Sequence, residues 1–306
     1  MSRVLVTGAS GFIGRSCLSK LAQNGYEVHA ISSTKREGGD ANGIVWHECD
    51  LLNSTDTHNI AVQVRATHLL HLAWYAIPGK FWSAEINREW TQASMDLFRY
   101  FADSGGKRIV AAGSCAEYDW NETTFSESVT PLRPSTLYGK CKKQLFLELE
   151  KFSAEQNISM SWARIFFVYG PGEHADRLVP SVIQRLMRNE EAPCSTGRQV
   201  RDFLYVHDAA TALVMLLNSS LEGAVNIGSG ISVEIRQIVR MIAEKMGKPD
   251  LPRFGALPMS QDEPDRLVAD ITRLTDELGW HPAISLDEGL SHTINWWNES
   301  MGGQKL

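Results

Sequence analysis

Residues 3–23 read "RVLVTGASGFIGRSCLSKLAQ". An apolar run comes first, Gly8, Gly11 and Gly14 punctuate the turn after it, and Phe12, Ile13, Cys17, Leu18 and Leu21 then share one helical face. The first glycine lets the chain turn sharply, the second lets backbone approach a pyrophosphate, and the third lets the helix lie close to the strand. The helix start then offers unpaired N–H groups and the positive end of its dipole to an anion. Strand, glycine turn and helix in this order predict a dinucleotide-binding turn lined by Gly8, Ser10, Gly11, Phe12, Ile13 and Gly14. The plain alternative is a tight turn that binds nothing.

Outward from this turn, short apolar runs alternate with amphipathic stretches. Strands are expected at 3–7, 26–31, 43–49, 67–73, 108–114 and 159–168, and helices at 12–24, about 85–103 and about 136–155. The runs are apolar without strict alternation, as in strands covered on both faces. The pattern predicts an α/β fold, a Rossmann-type doubly wound parallel sheet, with a smaller mixed α/β lobe. Residues 1–170 and about 201–230 are assigned to the sheet domain, with 201–217 returning to the sheet itself. Residues 171–200 and about 231–306 are assigned to the smaller lobe, and the cleft between the two is the expected ligand site.

The chain has 306 residues, a net charge of −6 and a pI near 5.9. No basic run stands out, which argues against nucleic acid and anionic membrane surfaces as partners. Five scattered cysteines without a C-x-x-C pair argue against a metal site or a disulfide framework and point to a reducing cytoplasm. Met-Ser-Arg leads straight into "VLV", so no signal peptide is expected, and no apolar run approaches a membrane span.

"TLYGKCKK" (136–143) places Tyr138 and Lys142 four residues apart, one turn apart on one helical face, with Ser135 or Thr136 available as the helix cap. A phenol, with a reference pKa of ~10, is a poor acid–base group at neutral pH, and a nearby ammonium brings it closer to working range. Ser114 ends the strand at 108–114, in "GSCAEYDW". Neither a histidine–carboxylate relay nor a G-x-S-x-G elbow surrounds it, so it is not read as a nucleophile. Cys115 reads as a small packing residue.

With its G-x-x-G-x-x-G spacing, "TGASGFIG" resembles the extended, sugar-nucleotide-modifying branch of the short-chain dehydrogenase/reductase superfamily. Further segments, out to "DELGWHP" (276–282) and "GLSHTINWW" (289–297), extend that likeness over nearly the whole chain. The resemblance implies that Ser114, Tyr138 and Lys142 are catalytic, with Tyr138 and Lys142 also touching the cofactor. It implies that Asp50 and Leu51 contact the adenine and that "HLAW" (71–74), through Leu72, Ala73 and Trp74, lies beneath the nicotinamide-side phosphates. At the end of the second strand, an acidic residue would accept hydrogen bonds from ribose hydroxyls and repel a 2′-phosphate. Here "AISSTKR" (30–36) puts Ser32, Ser33, Lys35 and Arg36 instead, and hydroxyls and cations suit the 2′-phosphate of NADP(H). A solvated basic loop is the plain alternative.

The same resemblance places the substrate. "IFFVYGPG" (165–172) leads into the smaller lobe, with Phe167 where relatives often carry an Asn that touches the sugar diphosphate. Leu178 and Val179 match the helix start that holds the diphosphate or base. Arg201, in "RQVRDFLYVHD" (198–208), matches a pyrophosphate-gripping Arg, against which stands an ion pair with Asp202. The place of a second phosphate-binding Arg, near Ser260, lacks one, and Arg266 is the substitute. Tyr75 and Cys115 complete the residues beside the substrate, and Trp74, Tyr75, Lys80 and Trp82 either line the sugar pocket or belong to the core. Sugar-nucleotide 4,6-dehydratases carry an Asp–Glu pair after the catalytic Thr; Cys115 and Ala116 stand there, which argues against that elimination.

The resemblance therefore implies an NADPH-dependent reductase of a nucleotide-linked 4-keto-6-deoxy sugar, working as a homodimer. The alternatives are an NAD-dependent sugar-nucleotide 4-epimerase using the same residues and a non-catalytic NADP-sensing regulatory protein.

Overall fold

The computed structural model describes residues 2–35, 43–123, 125–259 and 264–302. Its strands, in chain order, are β1 (Arg3–Thr7), β2 (Glu27–Ser32), β3 (Val45–Glu48), β4 (His68–His71), β5 (Arg108–Ser114), β6 (Ser159–Ile165), β7 (Phe167–Tyr169), β8 (Ala192–Cys194), β9 (Val200–Arg201), β10 (Phe203–Tyr205), β11 (Gly223–Ile227), β12 (Val233–Glu234), β13 (Pro252–Phe254) and β14 (Arg266–Leu267). The helices are α1 (Phe12–Gln23), α2 (Ser54–Val64), α3 (Ile86–Asp103), α4 (Leu137–Gln156), α5 (Leu178–Met187), α6 (Val206–Asn218), α7 (Ile235–Lys245) and α8 (Leu286–Gly302).

Seven strands form one parallel sheet in the order β3-β2-β1-β4-β5-β6-β11. The chain winds one way from β1 to β3 and the other way from β4 onward, so the sheet reverses between β1 and β4. Loops at the carboxyl ends of those strands part there, and that crevice is where this class of sheet binds ligands. The alternation within β1 shows how both faces are covered. Val4 and Val6 join the core under α1 and α6, whereas Leu5 joins the core under α2, α3 and α4. A third apolar core unites Val182 and Ile183 of α5, Ile238 and Ile242 of α7, and Leu290 of α8.

Two readings of the sequence are corrected. Residues 159–168 do not form one strand: β6 stops at Ile165, and the Phe167 N–H turns to the Asp202 carbonyl at 3.2 Å, so β7 pairs with β10 outside the large sheet. Residues 201–217 do not return to that sheet either. They supply β10 and then α6, and the seventh strand is β11. Helix α6 buries residues nearly all round its circumference, which erases the one-sided pattern that marks an amphipathic helix.

Candidate active site

The turn after β1 is a cradle that side chains cannot enter. Gly8 has φ +64°, and a Cβ there would lie 2.7 Å from the Leu72 carbonyl carbon and the Ala73 nitrogen. A Cβ on Gly14 would overlap the Gly8 carbonyl oxygen. Gly11 is the N-cap of α1 and contributes no capping side chain, so first-turn amides are left for a ligand. Ser10 is exposed beside it, and Phe12 and Ile13 are half-buried. These features fit the diphosphate of a dinucleotide.

Beneath the cradle runs a buried relay of hydroxyls and one imidazole. Thr7 Oγ1 accepts the N–H groups of Leu72 and Ala73 at 3.1 and 3.2 Å, which leaves its proton for His71 Nδ1 at 2.8 Å. His71 then carries its own proton on Nε2, donating to Ser94 Oγ at 2.9 Å, and Ser94 donates to the Trp90 carbonyl at 2.7 Å. Burial first, and then the field of Lys142, push the His71 pKa down to about 3, so the ring is neutral. The relay fixes Leu72 and Ala73 against the glycine turn.

At the end of β2, Ser32 is buried and its Oγ accepts the Thr34 N–H at 3.3 Å, while Ser33, Thr34 and Lys35 are exposed. Arg36 lies outside the described residues. Asp50 is exposed with Oδ1 accepting the Leu52 N–H at 3.0 Å, and Leu51 is buried.

Helix α4 brings Tyr138 and Lys142 to the end of β5. Thr136 caps it, its Oγ1 accepting the Gly139 N–H at 3.1 Å, and the Tyr138 N–H donates to the Trp82 carbonyl at 3.1 Å. Gly139 lets the helix touch the backbone of Ala116, where any Cβ would collide with the Ala116 oxygen. That contact seats Tyr138 beside Ser114. The expectation that Lys142 would bring the Tyr138 phenol down is corrected: burial raises the Tyr138 pKa above its ordinary value, and it is the Ser114 hydroxyl and the field of Arg177 that oppose the rise. Lys142 is buried, donates to the Ala112 carbonyl at 2.8 Å and lies 3.7 Å from the Trp74 ring centroid. Burial pushes its pKa down to about 7, against the field of Glu117.

Glu117 and Tyr118, close to Ser114 in the chain, face the core. Tyr118 is fully buried, donates to Asn226 Oδ1 at 2.7 Å and accepts from Arg164 at 3.3 Å. Glu117 meets Arg164 in a fully buried ion pair at 2.9 Å. Cys115 is buried, and burial pushes its thiol up to about 12, so it is no thiolate at neutral pH.

Phe167 and Arg201, both expected at the diphosphate, converge: the Arg201 guanidinium lies 5.5 Å from the Phe167 ring centroid. Arg201 is almost fully buried and donates to the Val200 carbonyl at 2.9 Å. The carboxylate of Asp202 turns elsewhere, accepting from Ser229, Gly230 and Ala269 at 2.6–3.2 Å. Arg266 pairs with Val200, the residue before Arg201, across β14 and β9, is exposed and donates to Ser232 Oγ at 2.8 Å. Leu178 and Val179 open α5, whose N-cap Arg177 provides no capping side chain. Tyr75 is half-buried.

Phe81, Asn87 and Arg177, which the sequence alone did not single out, also gather around Tyr138 and Trp74. Tyr138 sits in an aromatic box with ring centroids of Phe81, Trp82 and Trp74 at 4.9, 5.9 and 6.4 Å. Arg177 lies 5.3 Å from the Phe81 centroid. Asn87, fully buried, accepts the Trp74 indole N–H at 2.8 Å and donates to the carbonyls of Phe81 and Ala84, both at 2.7 Å. None of these pairings leaves a local sequence signal. Among the described residues, no cluster of His, Cys, Asp or Glu could hold a metal ion, and no helix is long and apolar enough to cross a membrane.

The geometry agrees with comparisons to known proteins. Residues 4–228 match the NAD dependent epimerase/dehydratase family. The chain is 28% identical to UDP-glucuronic acid decarboxylase 1 of Xenopus tropicalis, over 99% of this chain and 73% of that protein. It is 24% identical to dTDP-4-dehydro-6-deoxyglucose reductase of Escherichia coli, over 95% of this chain and 96% of that protein. The solved UDP-N-acetylglucosamine 4-epimerase of Methanobrevibacter ruminantium M1, in complex with UDP-N-acetylmuramic acid, superposes with a TM-score of 0.88 at 25% identity, covering 98% of this chain and 99% of that one. From its glycine turn to its seventh strand, then, the chain belongs to the NAD dependent epimerase/dehydratase family, within the extended short-chain dehydrogenase/reductases.

Proposed function

We propose that this protein is an NADPH-dependent reductase that converts a nucleotide-linked 4-keto-6-deoxy sugar to the 4-hydroxy sugar. The observation that carries the reading is that α4, seated by Gly139 against Ala116, brings Tyr138 to Ser114 at the end of β5, with Cys115 and Ala116, not carboxyls, following Ser114. The end-to-end likeness to a dTDP-4-dehydro-6-deoxyglucose reductase supports it. Bound in the glycine cradle, the nicotinamide cofactor supplies the hydride.

The residues of the chain do the rest. Tyr138, its pKa raised, holds its proton at neutral pH and gives it to the carbonyl oxygen. Ser114 Oγ accepts the Ala116 N–H at 3.2 Å, which leaves its own proton to donate to that oxygen. Lys142 holds the nicotinamide ribose. Leu72, Ala73 and Trp74 floor the cofactor site, Asp50 and Leu51 face the adenine, and Ser32, Ser33, Lys35 and Arg36 favour NADP(H). Arg201, backed by Phe167, and the uncapped start of α5 hold the diphosphate; Arg266, Tyr75 and Cys115 border the substrate. The core of α5, α7 and α8 is the substrate lobe, 171–200 with about 231–306. A cytoplasmic homodimer through α3 and α4 belongs to the same reading; Leu147, 47% exposed on α4, is an apolar residue for that contact.

The 4-epimerase reading draws on the superposed epimerase and on the same three catalytic residues. An NADP-sensing regulatory protein is the third reading, and it would turn over nothing. The test supplies 4-keto-6-deoxy nucleotide sugars of several bases and follows NADPH absorbance. Stoichiometric NADPH loss supports the reductase; interconversion of 4-hydroxyl epimers without net loss replaces it with the epimerase.

A further inference from the structure

Glu117 carries a charge in a place where the fold alone needs none. Its side chain is fully buried at the end of β5, in the single helical turn Cys115–Glu117. Its carboxylate takes hydrogen bonds from three donors: the Ser114 N–H at 2.7 Å, the Trp162 indole N–H at 2.9 and 3.0 Å, and Arg164 Nε–H at 2.9 Å. Arg164 stands opposite Gly113 in the β5–β6 register, and the space a Gly113 side chain would need is filled by Trp162 Nε1 and Glu117 Oε1. The Arg164 guanidinium is clamped between rings, 4.9 Å from the centroids of both Tyr118 and Phe146. An apolar side chain of similar size would fill the same volume without the desolvation of two charges.

What the carboxylate gains is control of Ser114. The two residues form a reciprocal box: Glu117 accepts the Ser114 N–H while Ser114 Oγ accepts the Ala116 N–H. Both the backbone and one lone pair of Ser114 are thereby fixed, which leaves the hydroxyl to Tyr138 and the oxygen that meets them. We infer that Glu117 is a positioning residue, whose carboxylate, braced by Arg164 and Trp162, turns the Ser114 hydroxyl toward the reacting oxygen. This inference rests on Ser114 being the hydroxyl that meets that oxygen, and it holds for reduction and epimerisation alike.

Glu117→Gln tests it with almost no change of shape. In that variant Arg164 draws the amide oxygen to itself and leaves the amide NH2 against the Ser114 N–H. Removing the guanidinium as well, in Glu117→Gln with Arg164→Met, frees the amide oxygen to return to Ser114. Expected is a loss of at least about tenfold in kcat for Glu117→Gln, with KM and NADPH affinity held within about threefold, and recovery of most of that loss in the double variant. In a Ser114→Ala background neither change moves kcat further. The inference is overturned if Glu117→Gln leaves kcat intact, or lowers it by the same factor without the Ser114 hydroxyl. If Glu117→Gln fails to fold, the double variant decides: kcat near wild type supports the inference, and kcat at the Ser114→Ala level overturns it. Amide exchange at Ser114, followed by NMR without substrate, should speed up in Glu117→Gln and slow again in the double variant; unchanged exchange overturns the inference. A wild type that exchanges 4-hydroxyl epimers without consuming NADPH removes the reductase reading alone, and the same variants are then compared on that exchange.

Discussion

The indole of Trp74 covers the Lys142 ammonium, with 3.7 Å from nitrogen to ring centroid, and Asn87 holds that indole by its N–H at 2.8 Å. A buried cation on a Trp face gains about 2 kcal/mol. A cofactor whose ribose engages Lys142 must share or displace this contact. Trp74→Phe is therefore expected to keep NADPH affinity within about threefold, because the ring face survives, while Trp74→Ala alters it by more. NADPH binding should also quench tryptophan fluorescence, and Trp74→Phe should remove a large part of the quench. Full quenching in Trp74→Phe would place the cofactor away from this indole.

Gly14 tests the cradle. A methyl group there must overlap the Gly8 carbonyl oxygen, and both partners are backbone, so neither can yield by rotating a side chain. Gly14→Ala should lower the thermal midpoint and abolish NADPH binding together. Gly25, where a Cβ meets nothing within 4 Å but φ is +83°, is the control. Gly25→Ala should cost about 1 kcal/mol of stability and leave cofactor affinity intact.

Lys142 should write a pH dependence into the stability of the cofactor-free protein. Its folded pKa of about 7 lies below its ordinary 10.5, because burial penalises the charged form. Between those values the unfolded chain holds a proton that the folded chain has released, so stability rises with pH across the window, by at most ~1.4 kcal/mol per unit. Below about pH 7 both states hold the proton, and the contribution is flat. Urea unfolding from about pH 6 to about pH 9.5 should show wild type gaining on Lys142→Met as pH rises. A constant gap would mean that Lys142 keeps its charge in the folded protein.

Cofactor choice follows from the end of β2. Titration of the free protein should give tighter binding of NADPH than of NADH, since Ser32 replaces a carboxylate and Lys35 is exposed beside it. Arg36→Asp should narrow or reverse the preference. Equal affinities in the wild type would remove the NADP reading and strengthen the epimerase.

How much the sequence disclosed depended on how far apart the partners lie. The glycine turn, β5 and α4 were legible because each is a local pattern, and the Tyr138–Lys142 spacing is a single helical turn. The cap of α4 was narrowed to Ser135 or Thr136 for the same reason, and it is Thr136. Helix α6 was misread because its burial is nearly complete, leaving no period to detect. The ion pair with Asp202 that adjacency offered as the alternative role of Arg201 does not form, since Asp202 instead anchors Ser229, Gly230 and Ala269. The S-x-x-E box of Ser114 and Glu117 was a local pattern that went unread, whereas the partners of Glu117 and Phe81 stayed hidden for a different reason. Glu117 meets Arg164 across 47 positions, and Arg177, at the start of α5, reaches Phe81 from far along the chain. Such meetings are products of the folded sheet and carry no local signature.

If Tyr138 protonates a sugar carbonyl as hydride arrives at carbon 4, isotope transfer will show it. The protein would be incubated with a nucleotide-linked 4-keto-6-deoxyhexose and NADPH deuterated at nicotinamide carbon 4, using each face in turn. Expected is deuterium at carbon 4 of the product from one face only, with one NADPH oxidised per sugar, and no product from Tyr138→Phe despite unchanged NADPH binding. Product without deuterium from either face, or product formed by Tyr138→Phe at the wild-type rate, would overturn this mechanism.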